Sequence, residues 1–105
     1  MGSEVKPNRK VYSIGEISRI VAPIADEMGI ERIYLFGSYA CGEATPGSDV
    51  DVVVESERID SYLGIGRLYA RLNRALEKDV DIVPSDAGDS FMDSIRDEMM
   101  LIYGS

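Results

Sequence analysis

The sequence predicts an α/β domain with a small mixed sheet of three strands flanked by helices, in the order α-β-α-β-α-β-α. Two long stretches carry apolar residues at helical spacing, and short runs rich in β-branched residues lie between and after them. The 105 residues allow one core. Alternating strands and helices favour a parallel sheet. The connection between the first and second strands is short, so antiparallel pairing of these two strands is left open. We predict a flexible arm over residues 1–12 and the domain over residues 13–105.

The first helix is predicted over residues 14–28. Ser13 followed by Glu16 fits a capping box, and the apolar periodicity stops at Gly29. Pro23 lies inside this stretch, where a proline costs about 3 kcal/mol, so the helix is expected to kink or end early. The apolar positions are Ile14, Ile17, Ile20, Val21, Ile24 and Met28.

Two strands follow. Residues 33–36 form a continuous apolar run that stops at Gly37, which indicates a buried strand. Residues 39–42 are predicted to make one helical turn and residues 43–48 a loop. Residues 50–54 carry the valines of a central strand.

The second half repeats the alternation once more. A helix is predicted over about residues 61–77 and a third strand over residues 80–83, ended by Pro84. After a polar turn over residues 85–90, helical spacing predicts a final helix to the terminus through Phe91, Ile95, Met99 and Ile102 or Tyr103. The second helix also carries a basic stripe that consists of Arg67, Arg71, Arg74 and Lys78. The simplest interpretation of this stripe is a solvated face, and the alternative is a contact surface for a partner or a triphosphate.

Composition excludes several kinds of function. The 19 acidic and 11 basic residues give a net charge of -8, which argues against duplex nucleic acid as the main ligand. Without histidine, imidazole-based triads and most catalytic zinc sites are excluded. The lone Cys41 cannot form an internal disulfide, and no apolar run is long enough to span a membrane. We therefore expect a cytoplasmic location and chemistry based on carboxylates, hydroxyls or the lone thiol.

The chemistry is expected around the central strand. Asp49 and Asp51 are two residues apart, so they project from one strand face at a spacing of about 6 to 7 Å. Two like charges on an otherwise apolar strand are unfavourable unless a cation neutralises them. Oxygen ligands select Mg²⁺ or Mn²⁺ over zinc.

Neighbouring strands supply the remaining parts of the site. Asp79 or Asp81 adds a third carboxylate, and Asp81 is favoured because apolar residues enclose it. Three carboxylates suit two metal ions of the kind that assist phosphoryl transfer. Gly37 and Ser38 follow a strand and begin a helical turn, where a phosphate can approach the backbone, although Ser38 also fits a simple helix cap.

These motifs resemble the nucleotidyltransferase superfamily of DNA polymerase beta. Gly37-Ser38, ten residues, then Asp49-Val50-Asp51 and a later strand aspartate match its pattern. The likeness is strongest to the minimal nucleotidyltransferases, the MntA-like antitoxins of HEPN/MNT toxin-antitoxin pairs. It implies ATP as substrate, two Mg²⁺ ions, and transfer of AMP to a hydroxyl, which in the better-studied pairs belongs to a tyrosine of the HEPN partner.

The resemblance also implies roles for individual residues. One position departs from the pattern, since many relatives have an arginine where this chain has Cys41. The implied metal and catalytic residues are Asp49, Asp51 and Asp81, and the implied nucleotide-binding residues are Gly37, Ser38 and Ser48.

Two hypotheses follow for function. The first is a Mg²⁺-dependent protein adenylyltransferase that acts on a HEPN-domain partner; the second is an antitoxin that neutralises this partner by contact alone. The three aspartates favour the enzyme, whereas Cys41 favours the binding protein. Transfer to a small molecule such as an aminoglycoside is weaker, because the chain has no room for a substrate domain. Homo- or hetero-oligomers are compatible with either hypothesis.

Overall fold

The computed structural model describes residues 11–56, 62–85 and 88–104. These residues form a four-stranded mixed sheet with the strand order β3-β2-β1-β4 and with helices on both faces. The α/β class with a mixed sheet is therefore confirmed, and the expected number of strands was one too few. The elements in chain order are α1 (Ile14–Met28), β1 (Arg32–Phe36), β2 (Val50–Glu55), α2 (Tyr62–Leu76), β3 (Val80–Pro84), α3 (Asp89–Ile95) and β4 (Met100–Tyr103).

Strand pairing follows from the lengths of the connections. β1 and β2 are antiparallel, with Phe36 opposite Asp51, and β4 pairs antiparallel with the other edge of β1. β2 and β3 are parallel, with Asp51 opposite Asp81, because α2 carries the chain back to the start of the sheet. The pairing left open between the first two strands is thus antiparallel.

Helix α1 has the predicted ends. The Ser13 hydroxyl accepts a hydrogen bond from the Glu16 N–H, and the Glu16 carboxylate accepts one from the Ser13 N–H, which completes the capping box. Gly29 ends the helix with a left-handed φ of 72°. The helix continues through Pro23 to Met28, so the early end considered for it does not occur.

One face of the sheet carries the main core. Side chains from α1 and α2 pack against alternate residues of all four strands. The opposite face holds α3, whose Phe91 ring meets Phe36 edge-on with the ring centroids 6.0 Å apart. Fully buried side chains of the core include Ile17, Val21, Ile33, Leu35, Val52, Leu68, Leu72 and Leu76.

The final helix predicted to the terminus was wrong. Helix α3 ends at Ile95, and the N–H groups of Glu98 and Met99 turn back to the Ile95 carbonyl. The chain then enters β4, where Ile102 is buried in the main core. The run Met-Leu-Ile-Tyr of β4 pairs with β1, whose apolar edge would otherwise be exposed. This pairing outweighs the helical spacing of the apolar residues near the terminus.

Tyr12 packs into the core of the domain. Tyr12, which we assigned to the arm, is buried in the core, and its hydroxyl donates to the Leu76 carbonyl over 2.7 Å. The rest of the predicted arm, except Val11, lies outside the described residues. In the part of the chain that the structure covers, no helix combines the length and apolar character needed to cross a membrane.

Candidate active site

Three chain segments meet at one edge of the sheet. Because β1 runs antiparallel to β2, and β2 runs parallel to β3, the end of β1 lies beside the starts of β2 and β3. The register places Phe36, Asp51 and Asp81 in one row across the three strands. This row gathers the residues that the sequence marked: Gly37 directly follows it, and Asp49 directly precedes β2.

Asp51 and Asp81 lie opposite each other in this row. The pKa of Asp51 is raised from 3.8 to about 6; burial is the largest cause, and a hydrogen bond with Asp81 and the negative charges of Asp81 and Asp49 act in the same direction. Asp51 therefore binds a proton more readily than an ordinary aspartate does, and a cation at this position would relieve the same repulsion.

Gly37 lies against the Asp51 carboxylate. Its φ is 75°, and a Cβ built on it would approach the Asp51 Oδ2 atom to 2.5 Å. Glycine therefore serves two purposes here: it permits the left-handed conformation, and it lets the backbone lie beside the carboxylate. A larger residue would displace the side chain that faces Asp81.

The other two aspartates differ in their relation to this pair. Asp49 is exposed, and its charge is among the causes of the raised pKa of Asp51. Asp79 is also exposed, and it is not among the charges that raise the pKa of Asp51. Its backbone carbonyl accepts a hydrogen bond from the Val50 N–H over 2.9 Å at this edge of the sheet. Asp81 is exposed as well, so the enclosure by apolar residues that we expected for it does not occur. Its position opposite Asp51 is what favours it over Asp79 as the third carboxylate.

The two serines lie in the segments that flank the row. Ser38 is half-buried in a single turn, in which the Gly37 carbonyl accepts the N–H groups of Ala40 and Cys41. The Ser48 hydroxyl accepts the Thr45 N–H over 2.9 Å and so closes the loop before β2. The structure thus gives Ser48 a role in shaping the loop, and its contact with a nucleotide stays a prediction. Cys41 is exposed.

Sequence reasoning missed one residue near the site. Lys78 was assigned to the basic stripe of α2, but only 5% of it is exposed, and its Nζ donates to the Pro46 carbonyl over 3.0 Å. The stripe is therefore confined to Arg67, Arg71 and Arg74 on the helix. The signal that could have revealed this is position: Lys78 comes after the last helical turn, directly before the third strand.

The donor set can be compared with the needs of a metal ion. Its oxygen-only carboxylates and the raised pKa of Asp51 fit a hard divalent cation such as Mg²⁺ or Mn²⁺. Within the described ranges, no group of three acidic or thiol side chains already has the spacing of a metal site. Asp51 and Asp81 already lie opposite each other. The exposed side chain of Asp49 would have to turn toward them to complete a site of three carboxylates.

The sequence is similar to several known proteins. A family model described as "Polymerase beta, Nucleotidyltransferase" matches residues 18–105. The chain is 39% identical over 71 residues to MJ0435 of Methanocaldococcus jannaschii, provisionally named a protein adenylyltransferase, with 68% of this chain and 76% of that protein covered. It is 40% identical over 60 residues to the protein adenylyltransferase MntA of Thermococcus cleftensis, with 57% and 61% covered.

Solved structures share the fold. A protein provisionally described as a minimal nucleotidyltransferase superposes with a TM-score of 0.70 at 26% identity, over 85% of this chain and 95% of that one. A toxin-antitoxin structure with AMP-PNP gives 0.69 at 22% identity, over 84% and 73%. The complex of a tri-AMPylated Shewanella oneidensis HEPN toxin with its MNT antitoxin gives 0.68 at 20% identity, over 88% and 73%.

Proposed function

The chain belongs to the polymerase beta nucleotidyltransferase family, and from that premise we propose that it transfers AMP from ATP to a hydroxyl of a partner protein. The observation that carries the proposal is the row formed by Asp51, Asp81 and the backbone of Gly37 at one sheet edge. It combines a carboxylate pair that could hold a cation with a glycine turn that would receive a triphosphate.

The proposed roles follow from position and charge. Asp49, Asp51 and Asp81 would hold Mg²⁺, with two ions as the expected number, and the metal would neutralise the triphosphate and the charge that develops on the leaving pyrophosphate. Gly37 and Ser38 would contact the phosphates at the start of the turn. Ser48 would approach the nucleotide from the loop before β2.

In the proposed reaction the acceptor hydroxyl oxygen attacks the α-phosphorus of ATP. A new phosphorus–oxygen bond forms to the acceptor, and the bond between the α-phosphorus and the oxygen that bridges to the β-phosphate breaks, releasing pyrophosphate. Asp81 would take the hydroxyl proton, because its exposed side chain lies opposite Asp51 at the edge where the acceptor would enter. The site needs no histidine for this step, which agrees with the composition.

The proposed acceptor is a tyrosine of a HEPN-domain protein, and the proposed biological role is that of an antitoxin. This rests on the names of the relatives, which include protein adenylyltransferases, and on a fold shared with an MNT antitoxin bound to an AMPylated HEPN toxin.

The test is incubation of the chain with ATP, Mg²⁺ and a candidate HEPN-domain partner, followed by intact mass spectrometry of that partner. We expect one or more added AMP masses with the wild type and with Asp97→Asn, an exposed control outside the site. The Asp49→Asn/Asp51→Asn variant should add none. Equal modification by this variant and the wild type would disprove the proposal.

The same experiment addresses the alternative role as a binding antitoxin. The exposed Cys41 lies in the turn after Gly37, where a positive charge would favour the triphosphate. If the wild type adds no AMP, and the double variant still protects cells from the HEPN protein, neutralisation by contact is the function.

A further inference from the structure

Lys78 is the single charged side chain found buried among the residues that the structure describes. A lysine is rarely buried unless specific groups hold its ammonium, because removing the charge from water is costly. Its Nζ donates to the Pro46 carbonyl over 3.0 Å. The sequence did not predict that Lys78 is buried, and its burial is explained by the contacts that it makes.

The end of α2 directs Lys78 inward. The helix ends at Leu76, and Glu77 has a left-handed φ of 54° while its N–H still donates to the Asn73 carbonyl. The Asn73 side chain then accepts the Val80 N–H over 3.2 Å. The chain therefore reverses direction between the helix and β3, and Lys78 lies in the bend.

The contact of Lys78 connects the two segments that deliver the aspartates. Pro46 is three residues before Asp49, and Lys78 is three residues before Asp81. A second link lies beside it, since the Asp79 carbonyl accepts the Val50 N–H over 2.9 Å. The loop before β2 is thus attached to the start of β3 at two points, one of them a buried ammonium.

We propose that Lys78 is a positioning residue, which holds the loop of residues 43–49 so that Asp49 can join Asp51 and Asp81 around a divalent cation. The proposal deepens the proposed function, because it concerns the same metal site. Asp49 is exposed and lies outside β2, so the sheet alone does not fix it. The short Thr45–Ser48 turn shapes the loop internally, and Lys78 attaches that turn to β3.

The experiment uses Lys78→Met, which keeps the length and removes the donor, and Lys78→Arg, which keeps a cationic donor. Arg74→Met on the exposed side of α2 is the matched control. All proteins are studied well below their unfolding temperatures. Mn²⁺ affinity is measured by electron paramagnetic resonance without nucleotide or acceptor, and amide hydrogen exchange is measured at Ser48, whose N–H donates to the Thr45 carbonyl.

With Lys78→Met, we expect the Mn²⁺ dissociation constant to rise by about 10- to 100-fold, the range found when residues that orient metal ligands are replaced. Exchange at Ser48 should accelerate, while the buried strand amides of Val52 and Val53 keep their protection. Lys78→Arg should recover most of the affinity, and Arg74→Met should match the wild type.

A folded Lys78→Met that binds Mn²⁺ as tightly as the wild type would overturn the proposal, even if it were less stable. Uniformly faster exchange, with the same acceleration at Val52 as at Ser48, would also overturn it, because it indicates a general loss of stability. If Lys78→Met does not fold, the shorter Lys78→Gln replaces it under the same criteria. No readout requires AMP transfer, so failure of the proposed function and failure of this role for Lys78 are distinguishable.

Discussion

Asp51 and Asp81 lie opposite each other on the adjacent parallel strands β2 and β3 and share a hydrogen bond. Burial desolvates the Asp51 carboxylate and so raises its pKa, and the negative charges of Asp81 and Asp49 act in the same direction. This is an electrostatic cost to the folded state. It raises the affinity of Asp51 for a proton, and we expect a cation to relieve it as well.

The first prediction concerns pH. The pKa of Asp51 is raised from 3.8 in the unfolded chain to about 6 in the folded one, so its contribution to stability is full below pH 3.8 and is lost as the pH rises through 6. Without divalent cations, Asp51→Asn should therefore have a higher free energy of unfolding than the wild type at pH 7, by roughly 1 to 3 kcal/mol. The gain should shrink toward pH 4, as measured by urea unfolding.

Asp97→Asn serves as the control, because Asp97 is exposed in the turn after α3. Adding Mn²⁺ should stabilise the wild type and leave Asp51→Asn nearly unchanged, since only the wild type keeps the full carboxylate set. A gain from Asp51→Asn that is the same at pH 4 and pH 7 would contradict this account.

The second prediction separates two demands on Gly37. Gly37→Ala places a Cβ where the Asp51 carboxylate lies and also forces alanine into a left-handed conformation, which costs about 1 to 2 kcal/mol. Gly42 has nearly the same φ, 74°, with no atom within 4 Å of its added Cβ, so Gly42→Ala carries the conformational cost alone. Both variants should have a lower unfolding temperature than the wild type, as measured by thermal unfolding.

Mn²⁺ binding should distinguish the two glycines. We expect weakened binding in Gly37→Ala, because Asp51 must turn away from the new methyl group, and unchanged binding in Gly42→Ala. Equal Mn²⁺ affinity in both variants would show that the contact between Gly37 and Asp51 is unimportant for the site.

The third prediction concerns the end of α2. Glu77 is the residue other than glycine that has a positive φ among the described residues, and a glycine is the usual residue at such a helix end. Glu77→Gly should raise the free energy of unfolding by roughly 0.5 to 1 kcal/mol, since relief of the left-handed strain exceeds the entropic cost of glycine. Glu98→Gly, at an exposed turn position with an ordinary φ, should lower it.

The fourth prediction tests strand β4. Ile102 is 6% exposed within the main core, whereas its neighbour Leu101 is 45% exposed. Ile102→Ala should lower the free energy of unfolding by about 2 to 5 kcal/mol, and Leu101→Ala should change it by less than about 1 kcal/mol. Denaturant titration of the two variants gives both values. Similar losses would contradict the alternation of a strand.

Much of this architecture could be predicted because local signals agreed with the fold. The capping box at Ser13 and the glycine at position 29 define α1 from sequence alone. The valines at residues 50–54 predicted the central strand β2, which the structure confirms. These features depend on neighbours a few residues apart. The alternation of strands and helices predicted parallel pairing for β2 and β3, which places Asp81 opposite Asp51.

The features that could not be predicted depend on contacts distant in the chain. β4 forms because β1 has an open edge, and its residues also fit a helical period. The hydroxyl of Tyr12 reaches the carbonyl of Leu76, 64 residues away, so its burial has no local signal. Lys78 continues the spacing of the basic stripe on α2, and only the helix end at Leu76 separates it from that face.

Position 51 creates a conflict between stability and activity that bears on protein engineering. Val50, Val52, Val53 and Val54 are all buried, so β2 offers an apolar environment to almost every residue it contains. A valine or asparagine in place of Asp51 would suit that environment better than an anion. Selection for thermostability alone would therefore favour variants that have lost the carboxylate. Libraries of this domain need a screen for metal binding alongside the screen for heat resistance.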